Sequence, residues 1–388
     1  MGQLRYLTAG ESHGRALIAL IEGMPAGVTI ASDIIDHELT RRQGGYGRGG
    51  RQKIEKDRAV FLSGVRLGKT IGSPIAIELI NADYRIDEAP SVHRPRPGHA
   101  DLAGSLKWLT GDCRETLERA SARETAARVA AGGLARCLLA SFGIRCVGYV
   151  TQVGGAVARQ VLETQTPDEL VAARDANDIY THDPEAVEAM TAAIRKAKED
   201  KDTIGGIVEV RVFGCPPGLG SCAQYTDKLD GRLMQAVGSI QAFKGVEIGL
   251  GFGVASRPGS AVHDPIDYDP ALRDTPCLGF TRRSNNAGGL EGGMTNGQPI
   301  VVRAAMKPIS TLLRGLDSVN LRTLQSEHSD YERSDVCAVS AASVVAENVV
   351  AFEIAKALVD KFAGDTLEEM QAAWTFYLDA ARRLGANG

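Results

Sequence analysis

Gly206-Ile207-Val208-Glu209-Val210-Arg211-Val212-Phe213 alternates apolar and charged residues. A period of two puts the valines on one face of a strand and Glu209 and Arg211 on the other. That predicts an antiparallel strand with one wet face. Further β-rich runs appear at 59–65, 74–80 and 299–305.

Helical patterns fill much of the remainder. Asp183-Pro184 supplies an N-cap and a proline at the first helical position, and Val187, Met190, Ile194 and Ala197 then form one apolar face. Residues 115–142 read as one long helix ending at Gly143. Its small residues, among them Ala126, Ala130 and Gly133, permit close packing of a buried helix. Residues 32–42 form a helix, 337–363 one that is apolar almost all round and so central, and 366–384 a more polar last one. Strands and helices do not alternate regularly. The expected fold class is therefore α+β with antiparallel sheets rather than a doubly wound sheet.

The 388 residues are 44% hydrophobic and 24% charged, a globular balance with enough chain for a sizeable core. No repeat, low-complexity tract or linker divides them, so residues 1–388 read as a single domain, or as two intimately fused lobes with interleaved elements. A net charge of −4 offers no general basic field for nucleic acid or membrane. No apolar run approaches the roughly 18–20 residues of a membrane span, and the N-terminus lacks a secretory signal pattern. The seven cysteines include no CxxC and no close His/Cys cluster. That argues against zinc and disulfides, and for a reduced, cytoplasmic protein.

Three stretches carry the ingredients of chemistry. Thr8-Ala9-Gly10-Glu11-Ser12-His13-Gly14 holds a histidine between glycines, and Arg96-Pro97-Gly98-His99-Ala100-Asp101 a second one in a Pro/Gly loop. Arg333-Ser334-Asp335 stands before the apolar helix. Glycine neighbours leave a histidine ring free to meet a ligand. Two such rings, and a carboxylate beside an arginine, suit acid/base work on an anion. The bland alternative is that each histidine caps a turn. Three such sites, each with Arg or Ser next door, favour chemistry. Ser12 as an acyl nucleophile lacks the strand–elbow–helix context.

Residues 41–51 hold four arginines and five glycines, a chain able to wrap an anion with guanidinium forks. An RNA-binding segment and a solvated loop are the alternatives, though RGG segments usually lie in long disordered tails. Arg119 and Arg123, four apart on the predicted helix, share a face and call for an anion, with Asp101 and Glu124 as the alternative partners. Lys307-Pro308-Ile309-Ser310-Thr311 offers an ammonium and two hydroxyls to a phosphate-bearing cofactor, or caps the chain from Leu312 onward. The glycines at 249–253 lack the full dinucleotide-binding spacing.

The segments G-E-S-H-G (10–14), R-R-Q-G-G-Y-G-R-G (41–49), R-P-R-P-G-H-A-D (94–101), E-R-A-S-A-R-E-T (118–125), K-P-I-S-T (307–311) and R-S-D-V-C (333–337) occur in this order. Together, across about residues 4–360, the chain resembles the chorismate synthase family. Ala120 stands where many relatives carry serine. The resemblance implies a β-α-β sandwich, with helices between antiparallel sheets, assembled as a homotetramer. It implies a 1,4-anti elimination of phosphate from 5-enolpyruvylshikimate 3-phosphate to give chorismate, requiring reduced FMN without net oxidation. By the same resemblance His13 would serve the departing phosphate, His99 would hold the flavin's protonation state, and Asp335 would assist the flavin in taking the ring proton. Arg119, Ala120, Ser121, Gln241, Ala242, Gly292, Lys307, Pro308, Ile309, Ser310, Thr311 and Arg333 would bind FMN. Ser12, Arg42, Arg48, Arg51, Arg96 and Arg123 would bind substrate. Arg42 and Arg48 also match positions assigned to NADP in relatives, so NADPH is a candidate reductant beside borrowed reduced flavin. An anion- or flavin-binding regulator without chemistry, and a plain flavin reductase, are the competing functions.

Overall fold

The structure is a computed structural model and describes residues 3–50, 54–332 and 334–384. Its helices are α1 (Ser32–Gln43), α2 (Asp101–Trp108), α3 (Arg114–Ala120), α4 (Thr125–Ala140), α5 (Pro167–Asp175), α6 (Val187–Glu199), α7 (Leu229–Gly238), α8 (Val339–Lys361) and α9 (Leu367–Arg382). One antiparallel sheet has the order Arg5–Ala9, Ala16–Glu22, Ile75–Ile80, Val60–Phe61. The other runs Phe243–Ile248, Ile300–Met306, Gly206–Phe213, Arg145–Val153, Ala156–Val157. Helix α4 packs on the first sheet and α8 on the second, and the two helices pack on each other. That is the expected sandwich of helices between antiparallel sheets.

The apolar character of α8 sets its place. Val344, Val350, Ile354 and Leu358 are wholly buried, and each buried large aliphatic side chain contributes roughly 1.5–3 kcal/mol. Its partner helix must come close. A Cβ on Gly132 of α4 would lie 2.3 Å from the Asn348 carbonyl oxygen of α8. A Cβ on Gly148 would lie 2.7 Å from the Ser343 carbonyl oxygen. Glycine at both positions is what lets helix and sheet approach. Glu347, fully buried on α8, accepts from Arg136 at 2.5 Å, Arg41 at 3.0 Å and Arg174 at 3.3 Å, which ties α1, α4 and α5 to the centre.

Three elements differ from expectation. The 115–142 helix is interrupted. Ser121 is extended (φ −62°, ψ 143°), a short 3₁₀ turn covers Ala122–Glu124, and α4 begins at Thr125. The Ser121 hydroxyl accepts from the Arg123 amide and competes with the helical ladder. Arg119 and Arg123 therefore do not share a face. The strand Gly206–Phe213 has no wet face either. Glu209 and Arg211 are buried, paired with each other at 2.9 Å, with the Tyr149 hydroxyl donating to Glu209. A small second core around Val161 and Leu170 covers that side. The run at 59–65 is likewise split, into Val60–Phe61 and Val65–Arg66.

Candidate active site

A cavity of about 650 Å³ opens where α8 begins. Its apolar floor is Ala341, Ala342 and Val345 of α8 and Ala338 just before it, with Ile240 and Met306 beside them. Small side chains on α8 keep the floor low. The walls come from loops: 48–49, 96–100, the α3–α4 break at 120–125, the turn 240–244 after α7, 306–311 after a strand, and 334–335.

Charge is unequally distributed around it. Arg42, Arg48, Arg96, Arg123, Lys244 and Lys307 line the cavity against the carboxylates Glu55 and Asp335. Arg123 donates to Asn81 at 2.8 Å and to the wholly buried Asp57 at 2.6 Å. Arg42 shares Asp57 at 3.6 Å and donates to the Thr125 hydroxyl and the Ala122 carbonyl. Burial, with Arg123 and Arg48 close by, pushes Arg42 down to about 9 against the pull of Asp57. Burial also lowers Lys307, and Lys244 adds to it. On side chains lining the cavity, Arg42 Nη1, Arg48 Nε, Arg123 Nη2 and Gln241 Oε1 are buried without a hydrogen-bond partner among the described residues. Each such group costs roughly 1–3 kcal/mol until something meets it. Donors predominate, so the site as built takes an anion.

Backbone geometry fixes several walls. Ala242 is left-handed at φ 70°, and its carbonyl accepts from the Lys307 amide at 3.0 Å. A strained non-glycine residue at a cavity wall marks a place where the surroundings over-determine the backbone. Gln241 donates to Glu124 at 2.9 Å. Arg96 grips the buried Asp101 with two nitrogens, at 2.8 and 3.0 Å, and reaches Thr311 at 3.1 Å. The His99 Nδ1 also meets Asp101. Burial raises the Asp101 carboxyl, but the bonds from His99 and Arg96 outweigh that and hold it well below the usual range. Arg96 Nη2 also lies 3.1 Å from His99 Nδ1. A guanidinium only donates and an ionised carboxylate only accepts, and the shorter contact to Asp101 favours the proton on Nδ1.

The structure thus brings Arg42, Arg48, Arg96, His99, Ala120, Ser121, Arg123, Gln241, Ala242, Lys307, Ile309, Ser310, Thr311 and Asp335 to one cavity. Ser12, His13, Arg119, Pro308 and Gly292 do not line it. Ser12 is adjacent, its hydroxyl accepting from Ser121 at 3.2 Å. His13 is held by Glu118, and its Nε2 lies 3.7 Å from Asp83. Arg119 staples the first strand through the carbonyls of Thr8 and Gly10. Gly292 sits in the tight turn between Leu290–Glu291 and Met294–Thr295. Arg51 and Arg333 lie outside the described residues. Asp101 and Glu124 do not balance Arg119 and Arg123: Asp101 serves Arg96, and Glu124 serves Arg128 at 2.9 Å.

Sequence reasoning missed Glu55, Asp57, Asn81, Glu118 and Lys244. Only Glu118 carried a local signal, its i, i+4 spacing from Arg114, which donates to it at 3.1 Å. Asp57 and Asn81 reach Arg123 from 66 and 42 residues away. Among the described residues, no group of three or more His, Cys, Asp or Glu side chains is placed to hold a metal ion. No helix there is long and apolar enough to cross a membrane.

A family model described as chorismate synthase matches residues 4–359. A chorismate synthase of Geobacter sulfurreducens is 54% identical over 393 residues, spanning 98% of this chain and 99% of that protein. One from Desulforamulus reducens is 53% identical, spanning 95% and 97%. A crystal structure of chorismate synthase matches with a TM-score of 0.79 at 40% identity, covering 98% of this chain and 99% of the other. Sequence and fold agree over almost the whole length, and the chain belongs to the chorismate synthase family.

Proposed function

We infer that the cavity turns 5-enolpyruvylshikimate 3-phosphate into chorismate by a 1,4-anti elimination. A C–O bond to phosphate breaks, a proton leaves carbon on the opposite face, and a ring double bond forms. As a family member the chain is a carbon–oxygen lyase of aromatic amino acid biosynthesis. The observation that carries the reading is the charge imbalance: six cations face two carboxylates over an apolar floor. A substrate with one phosphate and two carboxylates answers that imbalance.

Within the site, Arg42, Arg48, Arg96 and Arg123 hold anionic groups, joined by Arg51 and Arg333 from the family pattern. Asp335, oriented by Arg48, accepts the ring proton. His13, next to Ser12 but outside the cavity lining, would stabilise or protonate the phosphate by the family pattern. His99, its Nδ1 fixed by Asp101, faces the cofactor.

The residues fit reduced FMN as that cofactor. Lys307 has no carboxylate partner among the described residues, and Gln241 keeps an unmatched buried oxygen. A Cβ on Gly98 would stand 3.8 Å from both Lys307 and Ser310, in space a phosphate-bearing ligand would use. Ala120–Ser121, Gln241–Ala242 and Lys307–Thr311 would hold it. Arg119 would contribute through its backbone, since its guanidinium is committed to the Thr8 and Gly10 carbonyls. Gly292, away from the cavity, has no geometric support for that part. When bound, reduced FMN supplies an electron that is returned by the end of turnover. NADPH is the candidate reductant, through Arg42 and Arg48.

The reading takes the chain as one catalytic domain, supported by a single main core running from Leu4 to Met370. The homotetramer is part of the family resemblance, and exposed apolar side chains such as Leu106, Trp108 and Phe252 are candidates for its contacts. A cytoplasmic setting is supported by seven free cysteines. The test is anaerobic incubation with the enolpyruvyl substrate and reduced FMN. Phosphate and chorismate should form in equal amounts, and phosphate released without chorismate contradicts the reading.

A further inference from the structure

Glu118 grips the histidine loop at three points. Its carbonyl accepts from the Ser12 amide at 3.0 Å. Its carboxylate accepts from the His13 amide at 2.8 Å and lies 3.0 Å, through either oxygen, from His13 Nδ1. Behind it, Arg114 donates to one carboxylate oxygen at 3.1 Å. Arg114 is itself held by Glu332 at 2.7 Å and the Pro90 carbonyl at 2.8 Å. Glu118 is almost wholly buried. Burial alone would raise its carboxyl, but the His13 and Arg114 contacts outweigh it and hold it below the usual range. It is therefore an ionised acceptor, and His13 Nδ1 must be the donor.

The second histidine is built the same way. His99 Nδ1 meets a buried carboxylate, Asp101, which an arginine braces at 2.8 Å. In both places an arginine–carboxylate pair adjoins Nδ1, though at His99 the arginine's Nη2 also lies 3.1 Å from Nδ1 itself. For His13 the other ring nitrogen is 3.7 Å from Asp83, too far for a hydrogen bond. Among the described residues that nitrogen makes no hydrogen bond, and the Asp83 carboxylate faces it.

We propose that Glu118 is a positioning residue, which keeps the His13 proton on Nδ1 in the neutral ring and so aims Nε2 at the phosphate oxygen. The proposal rests on the reading of His13 as the group that serves the phosphate. When the ring gives up a proton, it leaves from Nε2 to the phosphate oxygen. The ring keeps its Nδ1 proton, and water restores the other.

Glu118→Gln separates this from simple bracing. The isosteric amide has one acceptor oxygen where Glu118 uses two. Either orientation turns its NH₂ toward a donor, Arg114 or the His13 amide. Ring nitrogen-15 spectra of the full-length enzyme, with His13→Gln to assign the signal, read the tautomer directly. Wild type should carry its neutral-ring proton on Nδ1, and Glu118→Gln should mix the two forms. Its kcat should fall about tenfold or more, within the range an acid/base group contributes. KM and flavin affinity should move by less than about threefold. Glu118→Asp, which keeps the charge but retracts it, should recover part of kcat. An Nε2-protonated ring in wild type overturns the proposal, and so does Glu118→Gln with unchanged kcat or with a rise in KM alone. If Glu118→Gln does not fold, the wild-type tautomer decides the matter. Full turnover by His13→Ala would instead refute the acid role of His13 and leave the tautomer result standing.

Discussion

Arg48 Nη1 lies 2.9 Å from Asp335 Oδ2, and the neighbouring Gly49 amide donates to the other oxygen at 2.5 Å. One turn of an arginine- and glycine-rich loop thereby aims the carboxylate of a residue 286 positions away. The start of α8 does not do so, because that helix begins only at Val339. Gly49 has no room for a side chain: its Cβ would stand 2.9 Å from the Ser334 carbonyl oxygen.

Asp335→Asn keeps the shape and loses the second acceptor, so one of the two donors is left facing an NH₂. We expect turnover to fall by roughly 10²–10⁴-fold, as for removal of an acid/base group. Flavin binding, followed by absorbance in the same variant, should change little. Near-normal turnover at saturating substrate would remove Asp335 from the chemistry.

Arg123 and Lys307 should separate in their effects. Arg123→Ala removes an anion contact and also strips the buried Asp57 of its closest cation. Affinity for substrate should drop about ten- to a hundredfold, and urea stability should drop as well. Lys307→Ala breaks no ion pair among the described residues. It should weaken FMN binding by a similar factor and leave the unfolding midpoint nearly unchanged. Titrations and urea curves on both variants check this.

Gly132→Ala probes the sandwich itself. Its methyl would meet the Asn348 carbonyl oxygen at 2.3 Å and the Asn348 Cβ at 2.5 Å. Overpacking of this kind costs about 1–3 kcal/mol or more, read as a lower midpoint in chemical denaturation. A stabilised variant, as expected of Gly→Ala in an open helix, would mean that α4 and α8 are not so close.

Acid should loosen the centre through Glu347. Burial pushes this carboxyl up, but Arg41, Arg136 and Arg174 outweigh it and hold it below its ordinary value. A lowered folded value gives stability that is complete above the ordinary carboxylate pKa of about 4.3. That stability is lost as pH falls toward the folded value. Glu347→Gln takes one counter-ion from the buried Arg41 and Arg174 and the half-buried Arg136 and should cost about 3–5 kcal/mol at neutral pH. It should also flatten the loss of stability below pH about 4.3. Denaturation curves across the pH range check both.

Much of this was legible in the sequence because it was local. The apolar circumference of α8, the small residues of α4 and the Thr8–Gly14, 41–51 and 307–311 loops are read from neighbours. The break at Ser121 was not, because Ala and Arg on either side favour helix. The Ser121 hydroxyl bond to the Arg123 amide starts the break, and the pull of Thr8 and Gly10 on Arg119, and of Asn81 and Asp57 on Arg123, holds the two side chains apart. The buried face of Gly206–Phe213 was missed for a similar reason. Glu209 and Arg211 look like solvent residues until Tyr149 and each other satisfy them. Glu118 lay inside a motif segment, yet its link to His13 spans 105 residues.

The central claim is an elimination that needs a reduced flavin and consumes none. The most direct measurement is chorismate formed per FMN, with flavin reduced by dithionite, oxygen excluded and the enolpyruvyl substrate in excess. The account predicts many chorismate molecules per flavin and no product without it. Product capped at one per flavin, or full activity with no flavin present, would contradict it.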